Sequence, residues 1–302
     1  MEMKDVQAID SMCRASYCMP GESLKEMYQL YEFQVMFVTT FGGVLKKMGL
    51  KPEESWKAAA FMNKGSVAAA IEEMDEIGVE YIFIDQMKGW SRRENKLWGD
   101  FSIETMTKLI GESKGRIKGG AGYNPFRIKE SLDEIERAVK EHGFVYVWAH
   151  PITFGLAAND KKMYPLYAKC IELDIPCCMQ VGHSAEPLPS EVGRPMYADE
   201  VALDFPELTM VLTHTGWPWI DEWMSMVWKH PKVYGNIGAY FPASLDASLV
   251  TFMNGRGRDK VLWATNGFGL TRCKKEFLDL PIKDENKRKI LRENALKVFK
   301  LE

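Results

Sequence analysis

Three of the five histidines in this 302-residue chain, His150, His183 and His214, each close a short apolar run. Imidazole titrates near neutrality and ligates metals, so three rings brought together can move protons, hold a metal or grip a carboxylate. The other two, His142 and His230, stand at predicted helix ends beside Gly143 and Pro231. Taken singly, a run-ending histidine is as readily a group that bonds loop backbone. Three in succession point to one shared pocket.

The elements that would position them follow from the rhythm of the sequence. Apolar or β-branched runs occupy 6–10, 79–85, 117–121, 144–150, 175–183, 209–214, 233–237 and 261–264, and amphipathic, charged stretches separate them. That alternation packs parallel strands inside and helices outside, so eight such runs predict an α/β fold, a (β/α)8 TIM barrel, filling 1–302 as a single domain. Helices are predicted over 65–77, stopped by Gly78, over 131–142, stopped by Gly143, and over 163–173. A last helix over 283–301 carries Ile290, Leu291, Ala295, Val298 and Phe299 on one face and is expected to cover the barrel exterior. The first two runs lie nearly 70 residues apart where one βα unit needs about 30. The Met-, Phe- and Tyr-rich stretch 20–56 therefore reads as a helical insertion, a lid or an oligomer contact, on the face where barrels build their sites.

Parallel strands end on one face, so polar residues at or just beyond those ends converge. Asp10, Asp85, Tyr123, His150, His183, His214, Asn236 and Asn266 meet that condition. Trp217 and Trp219, just after His214, would either wall a planar ligand or pack the adjoining helix. Cys177 and Cys178 sit inside a buried-looking run with no base beside them and read as core. Glycine-rich phosphate loops and serine elbows are absent.

The 39 basic and 42 acidic residues leave a net charge of −3, too small a field to gather nucleic acid or an anionic membrane. Six cysteines without CxxC pairing, and a start lacking an apolar leader, are read as reduced thiols of a cytoplasmic protein. No run approaches the roughly 20 apolar residues that cross a bilayer. A small neutral or acidic ligand stays compatible.

The stretch LDFPELTMVLTHTGWPWIDEWMSMVWKHPKVYGNIGAY is similar to the FP, hydrophobic run, HxG segment of the amidohydrolase-related (amidohydrolase 2) proteins, which include aminocarboxymuconate-semialdehyde decarboxylase and γ-resorcylate decarboxylase. Upstream, MYPLYAKCIELDIPCCMQVGHS looks like that family's helix and fifth strand, and downstream GRDKVLWATNGFG looks like its eighth. RIKGGAGYNP fits its third strand loosely. The resemblance implies a divalent metal, Zn, Mn or Fe, held by an HxH or ExH pair after strand one, a strand-five histidine and a strand-eight aspartate, with a strand-six histidine as acid or base. His183 and His214 match the last-named histidine positions of strands five and six. Met12 and Arg14 stand where the paired ligands belong, and Asn266 where the aspartate belongs.

A thioether binds hard ions weakly, a guanidinium repels them and an amide carries no anion, so the usual metal site is not expected to form. A metal rebuilt on His150, His183 and His214, with Asp10 or Asp85, stays open geometrically. Arg14 would either pair with a substrate carboxylate through its planar fork or bridge Asp10 or Asp85 structurally. Two functions follow. The first is a decarboxylase, hydratase or hydrolase acting on a small carboxylated substrate, with lyase chemistry favoured because no ion activates water. In it His214 is the acid or base, His183 and His150 position the substrate, and Arg14, Asp85, Tyr123, Trp217 and Asn266 bind it. The second is a catalytically silent subunit that stabilises an active metal-binding paralogue. Correspondingly, the assembly would be a homo-oligomer or a hetero-oligomer with a related barrel.

Overall fold

The computed structural model describes residues 3–58 and 63–301. Eight parallel strands form one sheet in sequence order: β1 (Ala8–Asp10), β2 (Val79–Asp85), β3 (Ile117–Gly122), β4 (Tyr146–Ala149), β5 (Cys177–Gln180), β6 (Met210–Thr213), β7 (Val233–Asn236) and β8 (Val261–Leu262). The eight runs read from the sequence are these eight strands. The ends of the sheet meet through Ser11, whose N–H and hydroxyl both donate to the Trp263 carbonyl, and through Asn266, whose N–H donates to Met12 at 2.8 Å. An α/β TIM barrel results.

The helices form for local reasons. Ser66 accepts the Ala69 N–H at 3.2 Å to start Val67–Ile77, which buries Val67, Ala70, Met74 and Ile77 along one face. Gly78, at φ 71°, turns the chain into β2. The helix Ile128–His142 begins three residues before its predicted start, because the Ser131 hydroxyl is spent on the Asn124 backbone rather than on capping. Helix Tyr164–Glu172 and its neighbours complete the outer layer.

Besides an antiparallel hairpin of Gly89–Ser91 with Lys96–Trp98 after β2, two regions depart from a plain barrel. Between β1 and β2 lie a helical turn at Lys25–Tyr28, a long helix Tyr31–Met48 and a turn at Ser55–Ala58, so the stretch 20–56 is helical. The chain's last helical stretch, expected on the exterior, divides its face instead. Ile290 and Leu291 join the outer core, whereas Ala295, Val298 and Phe299 join the inner one. Phe299 packs at 4.4 Å from Phe83 and 5.8 Å from Tyr146, inward-facing residues of β2 and β4. A short barrel strand cannot fill its own interior, and this helix plugs it. Among the described residues no helix is long and apolar enough to cross a membrane, and the six cysteines are free and buried.

Candidate active site

Beyond β1 the chain passes through Met12 to Arg14, whose backbone takes φ 103°, a region L residues seldom adopt. The conformation persists because the side chain is held on every side. Its Nε donates to Asn266 Oδ1 at 2.7 Å, its Nη1 to both Asp85 oxygens at 3.0 and 3.2 Å, and its plane lies 4.0 Å over the Trp148 ring. Its Nη2 lies 3.5 Å from His214 Nε2. A guanidinium has five N–H groups, and these contacts use four at most. A buried cation thus keeps donor capacity toward the pocket.

The arrangement also fixes the state of His214. A guanidinium only donates, so Nε2 must accept and the imidazole is neutral with its proton on Nδ1. Burial, then the Arg14 charge and His150, holds His214 well below the usual imidazole range. Its backbone is at φ 73°, and its N–H reaches Asn236 Oδ1 at 3.4 Å.

His150 is 2% exposed, and neither ring nitrogen has a hydrogen-bond partner. Burial, reinforced by Arg14, pushes it down to about 3, so it too is neutral. An unpaired buried polar group costs roughly 1–3 kcal/mol. His183 is half-buried, packs edge-on to Trp217 at 4.7 Å and is pushed down by burial, with Glu186 opposing.

These side chains share one cavity of about 370 Å³. Its floor is polar: Arg14, His150, Gln180, His183, His214 and Asn266. Its outer wall is apolar and comes mainly from the helical stretch after β1, through Tyr28, Phe33, Met36 and Phe41, with Trp98 and Phe268 completing it. Phe33 meets Trp98 at 4.8 Å, edge to face.

Of the residues expected in the site, Asp85 stands behind Arg14 and does not line the cavity. Tyr123 is buried outside it, donating to the Lys162 carbonyl at 2.7 Å. Trp217 is 45% exposed and touches the site through His183, while Trp219 lies near Arg194. Asp10 ties the barrel shut, accepting N–H bonds from Met12 at 3.1 Å and Thr265 at 3.0 Å and the Thr265 hydroxyl. Burial nonetheless raises Asp10 to about 6. Among the described residues no three His, Cys, Asp or Glu side chains converge as a metal cage.

Sequence reasoning passed over Trp148, Gln180, Glu186 and Tyr240, all of which line the cavity. Trp148 was legible: it sits two residues before His150 on the same strand face. Gln180 was legible in the same way, as the last residue of β5, whereas Glu186 and Tyr240 follow from loop paths that no periodicity reveals.

The amidohydrolase family profile matches residues 36–301. The chain belongs to the amidohydrolase family. A 105-residue segment is 31% identical to a 2-keto-4-carboxy-3-hexenedioate hydratase of Sphingobium sp. (strain NBRC 103272 / SYK-6), covering 30% of this chain and 31% of that protein. The match spans about a third of the hydratase. An uncharacterised TIM-barrel protein from Bordetella bronchiseptica superposes with a TM-score of 0.72 at 23% identity, covering 97% of this chain and 98% of that one. A 5-carboxyvanillate decarboxylase from Sphingomonas paucimobilis superposes with a TM-score of 0.64 at 13% identity over 98% and 99% of the two chains. At these identities the structural likenesses establish the shared barrel.

Proposed function

We propose that this amidohydrolase-family chain is a lyase that acts on a small carboxylated substrate without the family's divalent metal. The observation that carries the reading is the buried Arg14 guanidinium beside His214, with N–H capacity to spare toward the cavity. The donor set does not suit a divalent ion: Met12 and Asn266 supply no anion, and a fixed cation occupies the convergence point. Hydrolysis is the chemistry weakened most, because it would need another means of activating water.

Arg14, aimed by Asp85 and Asn266, pairs with the substrate carboxylate. That pairing offsets the charge holding His214 down and draws Nη2 away from Nε2. The freed lone pair takes a proton from substrate carbon in the dehydration direction of a hydratase; in decarboxylation, where the C–CO₂ bond breaks, His214 passes a proton taken from solvent to the carbon that CO₂ leaves. His183, steadied by Trp217, and His150 position the substrate. The hydratase and decarboxylase relatives act on carboxylated compounds by their names, which supports the reaction class.

The test is a panel of unsaturated and 2-oxo carboxylates followed by ultraviolet absorbance and CO₂ release. His214→Ala is expected to abolish turnover with an unchanged circular dichroism spectrum; preserved turnover refutes its role. Stoichiometric metal by elemental analysis, with turnover lost on chelation, refutes the metal-free reading. Turnover that requires a metal-binding paralogue would favour the silent-subunit alternative.

A further inference from the structure

Resting on the reading that Arg14 anchors a substrate carboxylate, we propose that His150 donates an N–H to the oxygen on which negative charge develops as the substrate reacts. Tyr146, Trp148 and His150 alternate along one strand and its end, so all three face the barrel interior. The Trp148 ring carries Arg14 on its face at 4.0 Å and stands 5.4 Å from the His150 ring, while Trp98 stands 6.2 Å away on an edge. An indole has a donor and no acceptor, so neither tryptophan can receive the His150 N–H. With both ring nitrogens unpartnered and the ring lining the cavity, the missing acceptor is one that a cavity ligand brings.

The chemistry balances without a proton leaving His150. As a C–H bond beside a carbonyl breaks, its proton goes to His214 Nε2 and its electron pair moves onto the carbonyl oxygen. In decarboxylation the C–CO₂ bond breaks and its pair moves to the same oxygen. The oxyanion accepts the His150 hydrogen bond, which strengthens as charge grows. A neutral imidazole suits this part, because its remaining proton is held tightly while its N–H stays a donor; burial and Arg14 keep His150 neutral. The ligand class is an acid with an enolisable carbonyl near its carboxylate.

The experiment is calorimetric titration of the full chain with the nitronate form of 3-nitropropanoate, an enolate mimic bearing a carboxylate, and with butanoate, which lacks the oxyanion. The wild type is expected to prefer nitronate at least tenfold. His150→Phe should erase that preference, bringing the ratio of nitronate to butanoate affinity close to one, and His150→Asn, which retains an N–H donor, should keep it. No preference in the wild type, or an undiminished one in His150→Phe, overturns the proposal. Should His150→Phe not fold, ¹⁵N-histidine spectra of the wild type decide: nitronate should shift the His150 N–H resonance, and an unmoved resonance with nitronate bound overturns the proposal. Arg14→Met, expected to lose both ligands, tests the anchor separately. If it binds both normally, the anchoring reading fails irrespective of the His150 result.

Discussion

Two of the barrel's buried cations, Lys274 and Arg14, lie at opposite ends and are built differently. Lys274 lies at the end where β1 and β2 begin, is 0% exposed and donates to the carbonyls of Ile77 at 2.6 Å, Gly78 at 2.9 Å and Val6. Its three N–H groups have three acceptors. Arg14 lies where the strands end, faces one carboxylate and one amide, and leaves capacity toward a cavity. A buried cation whose donors are all used holds a fold together; one with donors in reserve is, in the function proposed above, available to a ligand. The difference agrees with the division of labour in these barrels, stability at the strand starts and chemistry at the strand ends.

The sharpest way to break this comparison is to remove Arg14. Arg14→Met should lower kcat/KM for a carboxylate substrate by about 10³-fold, in the range of losing one transition-state donor. Arg14→Lys should recover little, since an ammonium cannot hold Asp85, Asn266 and a ligand in one plane. A variant within tenfold of wild type would place Arg14 beside Lys274 as structure.

Lys274→Met should do the reverse. Leaving the Val6 and Ile77 carbonyls without this partner should cost about 3–5 kcal/mol of unfolding free energy, measured by urea denaturation. Ligand affinity at low temperature should not change. Weakened binding in folded Lys274→Met would erase the distinction between the two ends.

Asp10 joins β1 to the residues after β8 and gives a pH signature at the site end. Its folded-state pKa of about 6 exceeds its ordinary 3.8, so the folded protein binds this proton more tightly than the unfolded chain does. The stability contributed is complete below about pH 4 and is lost as pH rises through 6, up to about 3 kcal/mol over that window. Asp10→Asn should remove that slope from a stability-pH curve, and an unchanged slope would assign it elsewhere.

The fold was legible because strand and helix signals are local. Eight apolar runs, Gly78 and Gly143 as stops, and a Met- and aromatic-rich stretch after the first run correspond to eight strands, two helix ends and a helical wall. The cavity lining was legible where strand alternation or strand ends select a residue, as at His150, His183, His214 and Asn266. It was not legible where one side chain consumes another. Nothing local in the sequence tells that Asp10 is occupied by Thr265, that Tyr123 is spent on a loop carbonyl, or that Phe299 turns inward to fill the barrel.

Composition, periodicity and spacing by themselves determined that this chain winds a parallel barrel and gathers three histidines on one face. The resemblance to the amidohydrolase-related proteins, not these patterns, implied that Arg14 and Asn266 stand where those proteins hold metal ligands. Only the tertiary structure decided which groups Arg14 contacts. Its two structural partners lie 71 and 252 residues away, and a guanidinium's role depends on which of its five N–H groups remain free after packing. That count is a property of contacts, which strand-length patterns cannot carry.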